Sequence, residues 1–366
     1  MKISLFCNTR YMGPAVRGPW PVPATQYDPK IAESSMQLTL DQAKLADEVG
    51  FDWISVAEHH FAPFSVTPNP MVMAGAMSQV VKRAKIALLG PDLPILNPLR
   101  VAEELAMLDT LTGGRIIAGL MRGTPNEYVT YNINPNESRD RFAEAVKLIR
   151  RAWTEKQPFG WEGRYYQYRS ISIWPRPVQQ PHPPIYMSGS SEQSGKFAAD
   201  NQLGLGFAVT TLPAATKSAN YYRDQAVKAG WEPKPDDIIY RLGMHIADTD
   251  EEAINDIVEA GADKPRAGIT LMNMAVLNAV QDSKYYGKDV EKDRESNIAK
   301  HGLEEKIELG ELIVGSPETV VSQIKKIQDT LGPGILDVIS AVQLGERTNK
   351  SLTLMGTKVM PQIKDW

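Results

Sequence analysis

Short runs of aliphatic and β-branched residues recur along the chain, each followed by a longer stretch in which apolar positions return every three or four residues. The short runs fall at 2–7, 52–57, 85–89, 115–120, 184–188, 203–209, 238–246 and 335–341. Their largely apolar character predicts strands covered on both faces, as in a parallel sheet. The longer stretches, at 36–49, 70–82, 100–111, 139–155, 192–201, 214–228, 250–259 and 316–330, carry the spacing of amphipathic helices. Strands alternating with helices predict an α/β fold, and eight of them favour a closed (β/α)8 TIM barrel over an open doubly wound sheet. An open sheet usually carries a glycine-rich turn after its first strand, where this chain has Asn8, Thr9 and Arg10.

Local chemistry marks several helix ends. Ser316, Pro317 and Glu318 supply a cap, a helix-starting proline and an acid at the positive end of the dipole. Thr249 precedes three acids in the same way, and Gly50 and Gly230 follow helical runs as left-handed terminators. Two stretches break the alternation: residues 13–30, rich in Pro, Gly and aromatics, and residues 262–312 before the last strand. Loops this long in a compact domain are usually functional or mobile. Both leave C-terminal strand ends, where barrel enzymes keep their chemistry. The expected organisation is one domain over residues 1–366, with 262–312 an insertion that serves as a lid. Both stretches are expected to close over the mouth, with Trp20 and Tyr27 of the first and Tyr285 and Tyr286 of the second as candidate covering aromatics, or else loop-packing residues.

Composition narrows the classes. The chain is 42% hydrophobic and 23% charged with a formal net charge of -4, which gives no reason to expect nucleic acid or an anionic membrane as partner. No apolar run reaches the roughly 18 residues of a membrane span. The opening residues MKISLFCNTR lack the apolar core and cleavage site of a signal peptide and read as a first strand. Cys7 is the single cysteine, so no internal disulfide forms, which fits a cytoplasmic location. Its apolar strand makes it a buried thiol rather than a nucleophile.

Three constellations carry candidate chemistry. Glu58, His59 and His60 follow the second strand. Side chains alternate along a strand, so His59 shares the parity of Ser55 and Ala57 and points into the barrel, while His60 points away. A neutral imidazole at the mouth suits proton transfer; the alternative is a histidine pair satisfied by backbone. A zinc site lacks an obvious third ligand, so no metal is expected. Arg122, Gly123 and Thr124 follow the fourth strand, and a guanidinium beside a glycine is a phosphate grip or a rim ion pair. Ser188 to Ser194 holds four serines and a glycine at a strand end and helix start, an anion site or a helix cap.

In their order along the chain these segments resemble the bacterial luciferase-like monooxygenase family. The matching pieces are GFDWISVAEHHF at 50–61, NP at 69–70, the long run from Leu93 to Gly123, GRYY at 163–166, PRPVQQPHPPIYMSGSS at 175–191, AAD at 198–200 and GSPETVVSQI at 315–324. The resemblance implies a (β/α)8 barrel with an insertion before the last strand. It also implies FMN as the reduced co-substrate FMNH2, and O2 activation as a flavin C4a-peroxide that oxygenates a small organic substrate. The implied partners are a separate NAD(P)H:flavin reductase and a second copy of the chain in a homodimer.

By position, His59 is the implied catalytic acid/base. Arg122 with Ser190, Ser191 and Ser194 contacts the FMN phosphate, Thr124 adds to them, and Gly90 and Pro91 touch the flavin ring. Two departures stand out: Met121 where luciferases carry a cysteine, and Ser190 where they carry an acid. Light emission from an aldehyde is therefore not implied. A deazaflavin-dependent dehydrogenase and a non-catalytic flavin-binding protein are the alternative readings.

Overall fold

The computed structural model describes residues 1–15, 20–263, 280, 283 and 301–366. Its strands are β1 (Lys2–Phe6), β2 (Trp53–Val56), β3 (Lys85–Asp92), β4 (Ile116–Met121), β5 (Phe159–Glu162), β6 (Gln167–Ile171), β7 (Ile185–Ser188), β8 (Gly204–Phe207), β9 (Ile238–Ile246), β10 (Leu312–Gly315) and β11 (Ile335–Ser340). Parallel pairing runs β1–β2–β3–β4–β7–β8–β9–β11 and returns from β11 to β1, closing an eight-stranded (β/α)8 TIM barrel. The long β9 pairs with β11 over Ile239–Met244, so its other edge is shared by β8 at Ile238–Tyr240 and β10 at Gly243–Ile246. The short β10 begins at the last residue of the stretch expected to be an insertion, and a short helix at Leu303–Glu308 lies within that stretch. Residues 264–279, 281, 282 and 284–300 of that stretch, Tyr285 and Tyr286 included, fall outside the described residues.

Period-two alternation divides the core. Ile3, Leu5, Ile54, Val56, Ile86 and Leu88 face outward under the helices, and each is at most 1% exposed. Trp53, Ala87, Leu89, Ile117, Tyr186, Ile239 and Ile335 fill the barrel itself. The inner face also holds charge. Asp337 is fully buried and accepts from Ser4 Oγ at 2.6 Å, Ser55 Oγ at 2.7 Å and Arg241 Nε at 2.6 Å. A carboxylate in an apolar interior requires such donors. Ser55 thus points inward, as alternation predicts, and buried Cys7 packs in the outer core. Burial, then Asp337, pushes the Cys7 thiol up to about 12, which leaves it inert.

Helices α1 (Pro29–Val49), α2 (Pro70–Val80) and α3 (Pro98–Thr112) each open on a proline behind a capping Asp28, Asn69 or Asn97. The first begins before residue 36, where the apolar periodicity starts, because its opening turns are largely exposed and polar and leave no stripe. Gly50 and Gly113 end α1 and α3 at φ of 110° and 66°, and Gly230 follows a helix at 88°. The β5–β6 hairpin was not legible as a strand pair because its exposed, polar alternation lacks an apolar run. Glu144, on α5 (Ser138–Thr154), holds it through Trp161 Nε1, Tyr165 N and Tyr166 N, at 3.1, 3.0 and 3.0 Å.

Asp47 near the end of α1 fastens the entry to β3. Its carboxylate accepts from the backbone N–H groups of Lys82, Arg83 and Ala84 at 2.7, 3.0 and 2.6 Å. Burial opposes the charge, but the three donors and Arg83 outweigh it and hold the carboxyl below its ordinary value. A depressed folded pKa contributes stability above the unfolded value of about 3.9, and that contribution is lost as pH falls through the folded one. Asp47→Ala is expected to cost about 2–4 kcal/mol at neutral pH and to flatten the stability decline below about pH 4, checked by urea melts across pH 3–7.

Candidate active site

The two segments singled out as an anion grip leave neighbouring strands at the same level. β4 and β7 pair at Ala118↔Ile185 and Gly119↔Tyr186, so the chain leaves the sheet at Arg122 beside the turn that starts at Gly189. Gly123 adopts φ 77°, and a Cβ there would sit 3.1 Å from Asp92 Oδ2. The Arg122 carbonyl accepts the Tyr128 hydroxyl, and the Arg122 side chain is half-buried at the rim. Thr124 is exposed, with its N–H and hydroxyl both directed to the Glu127 carboxylate on the short α4 (Pro125–Thr130).

Across the rim, Ser191 caps α6 (Glu192–Asp200) by accepting from Ser194 N at 3.2 Å, and its hydroxyl lies 2.9 Å from that of Ser194. Ser190 is exposed and its carbonyl takes the Ser218 hydroxyl at 2.9 Å. A Cβ on Gly189 would lie 2.5 Å from Ser194 Cβ, so the turn closes tightly on the helix start. Hydroxyls and helix-start N–H groups thus stand on the strand end next to that of Arg122, donor types that suit an anion.

Between this rim and β2 lies a platform of bare backbone. The β3–β4 register breaks between Leu89 and Asp92, and the Leu89–Gly90 peptide is cis. A Cβ on Gly90 would stand 2.0 Å from the Leu88 carbonyl oxygen and 2.3 Å from that of Gly119. No side chain fits there, and Gly90 and Pro91 are both buried.

The histidine pair splits as alternation requires. His60 turns outward, where Nε2 meets Glu58 Oε1 at 2.9 Å and Nδ1 meets the Tyr131 hydroxyl at 3.2 Å. The other Glu58 oxygen accepts from Asp92 N at 3.2 Å, and Trp20 fixes the His60 carbonyl from the first loop. Trp20 is thereby buried beneath the mouth, while Tyr27 stacks on Tyr11 and stays exposed. His59 packs its ring 5.0 Å from Phe64 and makes no side-chain hydrogen bond among the described residues. Burial, then the charges of Arg241 and His60, lower its pKa to about 4. Its imidazole is neutral at pH 7, with a nitrogen lone pair unspent.

Several neighbours were invisible in the sequence. Asp92 and Glu127 are buried carboxyls close to Glu58; burial, then Glu58 and Glu127, raise Asp92 well above its ordinary value, and burial raises Glu127. Glu127 reads in sequence as an ordinary acid in a first helical turn. Asp92 and Tyr131 carry no local signal of their partners. Thr67, whose carbonyl takes the His59 N–H at 3.1 Å, buries a hydroxyl without a partner, as Thr9 does.

A closed (β/α)8 barrel with Arg122, a serine turn and a neutral imidazole at its strand ends defines an α/β barrel enzyme architecture. The chain matches the luciferase-like monooxygenase family over residues 7–333, and it belongs to that family. It is 32% identical over 166 residues to an uncharacterized protein, y4wF, of Sinorhizobium fredii, covering 45% of this chain and 48% of that one. It is 25% identical over 221 residues to the oxygenase component of the flavin-dependent trigonelline monooxygenase of Acinetobacter baylyi, covering 58% and 60%. The matched stretch thus spans about half to three-fifths of these relatives.

Among solved structures, the monooxygenase RslO1 of Streptomyces bottropensis superposes with TM-score 0.76 at 25% identity, covering 99% of this chain and 100% of that one. The oxygenating constituent of 3,6-diketocamphane monooxygenase from Pseudomonas putida, in complex with FMN, gives 0.76 at 22%, covering 99% and 98%. An F420-dependent secondary alcohol dehydrogenase gives 0.67 at 17%, covering 98% and 97%, and shares the fold.

The lowered His59 pKa has a direct readout. Its neutral form favours the fold above the unfolded value of about 6.5, and that contribution is lost as pH falls toward the folded value. Histidine-resolved NMR titration is expected to find His59 neutral down to about pH 4. A midpoint near 6.5 would show that the imidazole is solvated.

Proposed function

We propose that the chain is the oxygenase component of an FMN-dependent monooxygenase that inserts one oxygen atom from O2 into a small organic substrate. The observation that carries this reading is the register of β4 with β7, which sets Arg122 beside the serine turn on the same rim as the Gly90 platform. Arg122 grips the phosphate with Ser190, Ser191 and Ser194, and Thr124 borders it. Gly90 and Pro91 support the ring. Reduced FMN, when bound, supplies the electrons that activate O2. His59, neutral and unpaired, exchanges protons with the reacting oxygen, and the apolar barrel interior beneath it excludes water.

The oxygenase-component name of the trigonelline relative supports a separate NAD(P)H:flavin reductase as partner. A homodimer working in the cytoplasm completes the proposal, as does a lid formed by residues 262–312. No helix of the described residues is long and apolar enough to cross a membrane. The fold shared with the F420-dependent dehydrogenase supports hydride transfer from a deazaflavin as the second reading. The absorption spectrum of the co-purified cofactor separates the two.

With FMN, a flavin reductase and NADH supplied, O2 uptake should depend on this chain. His59→Ala is expected to slow oxygenation or divert it to H2O2, while FMN affinity stays within about two-fold, the scatter of a substitution that removes no cofactor contact. Arg122→Ala is expected to weaken FMN binding by about 1.5–3 kcal/mol, measured by fluorescence quenching. Equal loss of flavin binding in both variants refutes the separate roles.

A further inference from the structure

Arg241 lies outside every role assigned above, yet it occupies the barrel interior. Ile239 faces inward from β9, and Arg241, two residues on, shares that face. Its position is fixed from three strands. Nε donates to Asp337 on β11, Asp337 is held in turn by Ser4 of β1 and Ser55 of β2, and the guanidinium lies 3.5 Å over the Phe6 ring. A guanidinium carries five N–H donors, and Arg241 uses one. Neither Nη1 nor Nη2 has a hydrogen-bond partner among the described residues, and 18% of the side chain is exposed.

Asp337 engages the guanidinium at Nε with one oxygen while its other oxygen accepts from Ser4 and Ser55. The field of the guanidinium reaches His59 and disfavours the imidazolium there. A half-buried cation with unspent donors in a fixed plane is a preformed receptor for an anionic oxygen pair. The phosphate grip stands on β4 and β7 and the ring platform on β3, which leaves the β9, β11 and β1 side of the mouth for the molecule being oxygenated.

We propose that Arg241, oriented by Asp337 and Phe6, binds a carboxylate of the substrate, so that this site selects small organic anions. The inference rests on the monooxygenase reading and narrows it. The same donors would also suit an anionic oxygen of the flavin ring, and the test separates the two sources.

Isothermal titration, with and without FMN, would compare benzoate, phenylacetate and hexanoate with their primary amides. The native chain is expected to bind at least one carboxylate about ten-fold or more tighter than its amide, the scale of a charged hydrogen bond. Arg241→Met should abolish that preference and Arg241→Lys keep part of it, with FMN affinity unchanged in both. The double variant R241M/D337N removes the carboxylate left unpaired and should reproduce the loss in a folded chain, monitored by Tm. Equal binding of acids and amides by the native chain overturns the proposal. So does a loss confined to FMN affinity, which would assign Arg241 to the flavin. Failure of the native chain to bind FMN or consume O2 would instead count against the monooxygenase reading, since the carboxylate preference is also read without FMN.

Discussion

The mouth of the barrel is organised by how closely β3 and β4 approach at Leu88. Its carbonyl oxygen lies 2.0 Å from where a Cβ on Gly90 would stand and 2.3 Å from one on Gly119. Two glycines facing one carbonyl let the backbones meet, and the ladder then slips between Leu89 and Asp92. That slip turns the Asp92 N–H onto Glu58 at the end of β2 and sets its carboxyl against Gly123 beyond β4. Three strand ends are therefore located by one steric contact. Sterics resist displacement more sharply than an exposed ion pair does, and a site shared among three loops benefits from that stiffness.

Alternation along the segment leaving β2 also separates two charge systems. Outward lie Glu58, Asp92 and Glu127 with His60 and Tyr131; inward lie Asp337 and Arg241 with Ser4 and Ser55. His59 belongs to the inner side, where burial, then Arg241 and His60, disfavour its charged form. On the outer side, neighbouring carboxylates would favour the charged imidazolium and remove the lone pair that makes His59 a base. One residue of register thus decides whether this histidine is a proton acceptor or half of an ion pair.

The sequence carried much of this, unevenly. Strand-scale apolar runs and the Asn69–Pro70, Asn97–Pro98 and Ser316–Pro317 starts are local signals, and the structure follows them. The inward placement of Ser55 was likewise readable from alternation alone. Partners across strands were not, because register is set by the closed sheet as a whole. Asp92 meets Glu58 through a pairing that no stretch of sequence encodes, and Asp337 with Arg241 forms a second pair across β11 and β9. A signal for the second pair did exist: each is a charged residue at the parity of Ile239 and Ile335 inside an otherwise apolar strand. Opposite charges at inward positions of two strands that close a barrel imply one another. The flavin-facing roles remain expectations carried by position and by the family.

The two departures from the luciferase pattern act on the same balance. Met121 packs against the cluster that fills the barrel, so the position before Arg122 is part of an apolar floor rather than a thiol facing a cofactor. Ser190 is an exposed neutral hydroxyl where an acid would add negative charge beside the proposed phosphate. With no carboxylate at that position, Arg122 and the N–H groups starting α6 keep more of their positive potential for the anion. In the proposed arrangement a phosphate would be gripped at one edge of the mouth, Arg241 stands at another, and the neutral His59 lies within its field. A cation at each edge with an uncharged base between them suits a cofactor and a substrate that both arrive as anions, and it keeps proton transfer away from either charge.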